Sequence, residues 1–223
     1  MAAYYYEIAC RAGDDQEAAF RWLDQLLPHL KFPACEIDVY KAAPAPHGEA
    51  SIPTFIVHVG FEDEASAQKC LGEPRLRQAL AAGQNQFALT GELMRTHAFE
   101  IAGRGPQPLI APFSYVVRYM LPAPNVEAFQ AYYMKMHPPI LAAFRAIRNI
   151  FCYVPVEMKS SPLRGAGYLI GNEVVFDSVS DFEKAMASPV RDRSKADVAT
   201  FPAFSGLSAH YPMQRTRISL PPT

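Results

Sequence analysis

Hydrophobic and polar positions along this chain switch between two periods. Residues 4–12 are aromatic and apolar and alternate after Tyr6, with Tyr6, Ile8 and Cys10 on one face and Glu7 and Arg11 on the other. That pattern predicts a strand. Asp14 and Asp15 then precede a stretch in which Ala19, Phe20, Trp22, Leu23, Leu26, Leu27 and Leu30 keep helical spacing, so a helix ending near Pro33 is expected. Residues 35–42 read as a second strand, 43–53 as a Pro/Gly loop and 54–61 as a third strand. A helix over 62–82 and a strand over 88–101 complete a β-α-β-β-α-β order. The order then recurs. After a Gly/Pro linker at 103–112 come strand 113–121, helix 125–145, strands 149–157 and 168–176, helix 179–196 and strand 208–218.

The recurrence is visible in single residues. Phe61, Lys69 and Pro74 reappear as Phe176, Lys184 and Pro189 at one constant step of about 115 positions. A period this long marks a duplicated small domain rather than a solenoid. The expected organisation is a first half at 1–102, the linker at 103–112 and a second half at 113–223. Each half has the element order of a ferredoxin-like plait, a four-stranded sheet with both helices on one face. Two bare sheet faces in one chain should pack on each other, since burying apolar surface stabilises by about 25 cal/mol per Å². The expected fold class is α+β: two ferredoxin-like βαββαβ halves packed sheet to sheet as an intrachain pseudo-dimeric α+β barrel.

Composition removes several function classes. Of 223 residues 50% are hydrophobic and the formal charge is -1, which leaves no electrostatic footprint for nucleic acid or an anionic membrane. Cys10, Cys35, Cys70 and Cys152 lie far apart without a C-x-x-C, and no basic stretch leads into an apolar run at the start of the chain. A reduced, cytoplasmic protein is therefore expected. No apolar run approaches the roughly 18 residues of a membrane span. Gly-rich phosphate loops and a nucleophile elbow are absent from the sequence, which argues against nucleotide cofactors and covalent serine catalysis. A metal site assembled from His58, His97 and Glu173 lacks the usual ligand spacing, and nothing local marks a haem cavity, so no cofactor or metal is expected.

The sharpest local signal lies on the first helix of the second half. Phe129, Tyr132, Tyr133 and Met136 make one helical stripe, with His137 at its edge, followed by Pro138, Pro139 and Ile140. A residue before proline is pushed out of helical geometry, so the helix is expected to break or tighten at His137 and leave its imidazole among unsatisfied carbonyls that favour the protonated form. The pattern F-x-x-Y-Y-x-x-x-H-x-P-I resembles the EthD family of the dimeric α+β barrel superfamily. In the first half His29 follows Pro28 instead of preceding a Pro-Pro pair, so the motif is degenerate there and one working pocket is expected. The superfamily holds cyclases, aromatic-acid decarboxylases and dehydratases, isomerases, cofactor-free monooxygenases and haem enzymes, so the fold does not choose among them.

The resemblance implies an apolar pocket lined by histidine and tyrosine. His137 and His210, the latter on the closing strand, are the candidate proton-transfer groups, with Tyr133 beside His137. Tyr119, Asn172, Phe204 and Tyr211 are candidate lining residues, and residues 199–206 read as an aromatic lid. Arg118 could orient a carboxylate, but alternation sets it opposite Tyr119, so both reach the pocket only if a bulge intervenes. His58 and Glu173, opposite the helix-packed faces of their strands, are expected inside the barrel as a buried polar pair of structural kind. The function expected from these residues is a cofactor-independent lyase, cyclase or isomerase on an aromatic or polyketide-like small molecule. Two alternatives stay open: a cofactor-free monooxygenase on phenolic substrates, and a non-catalytic binding or stress-related barrel. A further pairing of two such chains also stays open.

Overall fold

The computed structural model describes residues 2–30, 34–44, 52–101 and 111–219. Most of the loop expected at 43–53 and of the linker at 103–112 lies outside them. The alternating segments form β1 (Tyr4–Arg11), β2 (Glu36–Ala42), β3 (Phe55–Phe61) and β4 (Ala88–Ala98) in the first half. In the second they form β5 (Phe113–Met120), β6 (Ile147–Pro155), β7 (Tyr168–Phe176) and β8 (Ser208–Ile218). Helices α1 (Gln16–Leu30) and α4 (Val126–Leu141) follow the first strand of each set.

The single helices expected at 62–82 and 179–196 are each two. Helix α2 (Glu64–Gly72) gives way to α3 (Pro74–Gln84), and α5 (Val179–Met186) to α6 (Pro189–Val198). The cause is the proline at each second start. Its ring holds the preceding residue extended, Glu73 at φ -61, ψ 124 and Ser188 at φ -85, ψ 156, while proline itself suits the first helical position. The break expected at His137 does not occur. Helix α4 runs on through Pro138 and Pro139 to Leu141, and Ala142 N closes its last turn by donating to Pro138 O at 2.9 Å.

All eight strands close into one antiparallel barrel, β1-β3-β2-β8-β5-β7-β6-β4. Read around the ring, β4-β1-β3-β2 is followed by β8-β5-β7-β6, the same order in each half. The halves meet through two paired seams rather than by face packing alone, from Ile37↔Ile218 to Ala42↔Met213 and from Met94↔Pro155 to Ala98↔Phe151. Closure leaves no sheet edge open for pairing. An ion cluster reinforces one seam: Asp38 accepts from Arg215 Nη2 at 2.7 Å and from Arg217 Nε at 2.9 Å.

Strict alternation then sorts the side chains. Tyr6, Ile8, Cys10, Val57 and Val59 face outward and join Trp22, Leu26 and Phe87 in the first-half core. Tyr115, Val117, Tyr119, Val174 and Phe176 do the same in the second half against Phe129, Tyr133 and Leu141. The barrel interior mixes apolar side chains such as Ile56, Met94, Val116, Phe151 and Met213 with a buried polar network. Glu7 accepts from Arg118 Nε at 3.2 Å, from Tyr168 Oη at 2.6 Å and pairs with His58 Nε2 at 2.8 Å. Glu173 accepts from Ser114 Oγ at 2.6 Å and Tyr153 Oη at 2.5 Å. His58 and Glu173 are both inside, as expected, but they do not touch; the Tyr40 hydroxyl bridges them at 3.3 and 3.2 Å.

The first-half space between sheet and helices is filled. Trp22 stacks on Phe55 with ring centroids 6.1 Å apart, and His29 is exposed. A Cβ at Gly83 would overlap the Trp22 indole, which is held on both sides by Phe55 and Phe87. Gly83→Ala is therefore expected to destabilise the protein by about 1–3 kcal/mol, read as a lower urea midpoint with an unchanged m value.

Candidate active site

In the second half a cavity lies between the sheet and the helices. Asn125 caps α4 by accepting from Ala128 N at 2.9 Å, and the four-residue spacing of Phe129, Tyr133, His137 and Leu141 turns all four toward the sheet. Helix α6 runs beside it and contributes Arg191, Ser194 and Val198. The floor is Tyr115, Val117 and Tyr119 from β5, Asn172, Val174 and Phe176 from β7, and His210 from β8. Between floor and helices lies a partly open cavity of about 50 Å³. A water needs about 10–15 Å³ by this measure, so a few waters fit and an aromatic ring enters only as side chains give way. Met186 at the wall is suited to yield, being unbranched and flexible. A haem does not fit: Tyr133, Leu141, Phe144, Val174 and Met186 occupy the room a macrocycle would need.

His137 is 4% exposed, and its Nδ1 lies 2.7 Å from Asp197 Oδ2. A carboxylate only accepts, so Nδ1 carries the proton and Nε2 keeps its lone pair. Burial pushes the imidazole pKa below its ordinary value; Asp197 offsets part of that and the nearby Arg191 charge adds to it. The contact is thus a hydrogen bond of a neutral ring at neutral pH, not an ion pair. The protonated form expected from helix-end carbonyls is corrected: α4 continues, and desolvation dominates. Asp197 is itself held by the Tyr132 hydroxyl, 3.3 Å from Oδ1, and Tyr132 in turn meets Thr200 Oγ1 at 2.6 Å.

Two phenols complete the polar lining at depth. Tyr119 and Tyr133 are 3% and 1% exposed, and burial raises both hydroxyl pKa values. They remain protonated donors, and among the described residues neither hydroxyl has a hydrogen-bond partner. Asn172 donates its Nδ2 to Phe151 O at 3.1 Å, which leaves its carbonyl oxygen for the cavity. The His210 ring stacks on Tyr115 at 5.8 Å.

The structure therefore brings His137, His210, Tyr133, Tyr119 and Asn172 to one cavity. Phe204 packs edge-on against Tyr119 and Phe129 at 5.8 and 5.1 Å, behind the lining, and its neighbour Phe201 stands edge-on to His137 at 5.3 Å. Arg118 and Tyr211 are not in the cavity. Alternation turns both into the barrel, Arg118 onto Glu7 and Tyr211 under the Arg11 guanidinium at 3.1 Å. A bulge does interrupt β5, but at Tyr119/Met120, one residue too late to rotate Arg118 outward. Asp197 and Arg191 were not foreseen. The run from Arg191 to Asp197 reads as a solvated, charged helix face, and no local signal separates its buried positions from its exposed ones.

No known family model matches the chain, and no curated protein matches it in sequence. Solved structures do resemble it. An anthrone oxidase-like protein superposes with a TM-score of 0.66 at 11% identity over 97% of this chain and 95% of that one. A proposed monooxygenase from Lactobacillus acidophilus NCFM gives 0.56 at 7% identity, covering 98% and 97%. A point mutant of chlorite dismutase from Candidatus Nitrospira defluvii gives 0.52 at 11% identity, covering 96% and 92%. Identities this low carry the fold alone. The chain shares the overall fold of these proteins, with its eight-stranded barrel closed within a single chain. Among the described residues no helix is long and apolar enough to cross a membrane.

Proposed function

We propose that this protein is a small-molecule enzyme in which His137 moves a proton to and from an aromatic or polyketide-like substrate held in the second-half cavity. The observation that carries the reading is the neutral, Asp197-oriented imidazole in one cavity with two buried phenols. Nε2 is the base; removal of a proton from carbon or a phenolic oxygen leaves an enolate or phenolate. Tyr119 and Tyr133 stabilise that charge by donating hydrogen bonds in a site of low dielectric. The imidazolium then returns the proton to another atom. This sequence serves a lyase of the decarboxylase or dehydratase kind, or a cyclase or isomerase, without a demand for a nucleotide or a metal.

A second reading is favoured by the anthrone oxidase-like and monooxygenase neighbours. In it the same deprotonated carbon reduces dioxygen, so that a CH₂ group beside an aromatic ring becomes C=O and one oxygen atom leaves as water. Turnover of a panel of phenols and anthrones, followed with and without oxygen, separates the two. Undiminished anaerobic turnover supports the lyase or isomerase, and stoichiometric oxygen consumption supports the oxygenase. We also read 1–102 and 113–223 as tandem ferredoxin-like halves, the second EthD-like, on the strength of the repeated strand order and the Phe129 to Ile140 motif.

A further inference from the structure

We propose that Arg191 makes this cavity a site for aromatic carboxylates, with the carboxylate at its mouth and the ring directed inward to His137. The proposal rests on the acid-base reading for its location and adds the substrate's charge. Three other arginines of the second half have a carboxylate: Arg118 has Glu7, Arg215 has Asp38, and Arg217 has Asp38 and Glu36. Arg191 lines the cavity and is half-buried, yet among the described residues it has neither an ion pair nor a side-chain hydrogen bond. The cavity's own carboxylate neighbour, Asp197, is engaged by His137 and Tyr132.

A partly desolvated guanidinium without a counter-charge is costly, and an anionic ligand would remove that cost. Its planar fork matches a carboxylate with two parallel N–H bonds. Depth sets the orientation. Tyr119 and Tyr133 are almost fully buried while Arg191 is half-exposed, so the carboxylate belongs near solvent and a phenolic or carbonyl oxygen reaches the hydroxyls. Arg191, His137 and Tyr119 all line this one cavity. The role foreseen for an arginine orienting a carboxylate thus falls to Arg191 instead of Arg118.

A matched pair of probes, salicylate and phenol, tests this by equilibrium binding, which needs no turnover. The wild type is expected to bind salicylate about 10- to 100-fold more tightly than phenol, the range for a hydrogen-bonded charged pair, and Arg191→Met to lose that preference. His137→Gln should keep it. Equal affinity for the two probes, a preference that survives Arg191→Met, or no saturable binding of salicylate at roughly 10 mM would each overturn the proposal. Failure of the acid-base reading shows differently, as undiminished turnover in His137→Gln, and that result leaves an observed carboxylate preference intact.

Discussion

His137→Gln is expected to lower turnover by about 10²- to 10⁴-fold, the span that general acid-base transfer by one side chain contributes, with little change in folding. Glutamine keeps the bulk and can still donate to Asp197, but offers no basic nitrogen to the cavity. Asp197→Asn tests the positioning role separately. Asp197 fixes Nδ1 as the donor and partly offsets the effect of burial on the ring. An asparagine amide can donate to Nδ1 instead and place the proton on Nε2, the wrong atom for a base. For the wild type, the acid limb of kcat/KM should lie below the ordinary histidine value of about 6.5, because His137 must be neutral to act. In Asp197→Asn the limb should move lower still, since the influence that raised the pKa is gone. A merely structural aspartate would change stability and leave the limb in place.

Arg118→Met is expected to destabilise the protein by about 3–5 kcal/mol, because it removes the guanidinium that balances the buried Glu7 carboxylate and leaves it only His58 and the Tyr168 hydroxyl. Burial alone would push the Glu7 carboxyl up, but the Arg118 guanidinium and the His58 hydrogen bond hold it well below the usual carboxylate range. A depressed folded pKa means stability that is fully present above the unfolded carboxyl value, near 4.3, and lost as pH falls below it. Chemical denaturation at neutral pH and in mild acid reads both effects. In Arg118→Met the acid-linked loss should shrink, since the group that depressed the pKa is absent. Replacing Glu7 and Arg118 together by apolar residues should recover much of the stability, as buried pairs often break even against a packed core.

Period-two alternation settled more of this molecule than any motif. It placed His58 and Glu173 inside the barrel and Tyr119 and Asn172 toward the helices, because a pleated strand leaves no third direction. It also set Arg118 against Tyr119, and the structure shows that opposition. Local proline chemistry was legible at the residue level but not in its outcome. Pro74 and Pro189 each open a new helix after an extended residue, whereas Pro138 and Pro139 lie inside the last turn of α4. The His137 environment was not legible. Its partner Asp197 lies 60 positions away on a helix whose composition looks solvent-facing, and a contact of that span is fixed by how α6 docks beside α4. Edge pairing of β2 with β8 and β4 with β6 was equally out of reach, since hydrophobic pattern reports which face is buried and is silent about what lies alongside.

Proton transfer in this site requires a neutral imidazole, oriented by a carboxylate and open to a cavity. An NMR titration of the His137 ring, assigned through His137→Gln, measures that state without any substrate. The expected result is a pKa below about 6.5 with the proton on Nδ1 at neutral pH. A ring that titrates at or above that value, or that carries its neutral-form proton on Nε2, would contradict it.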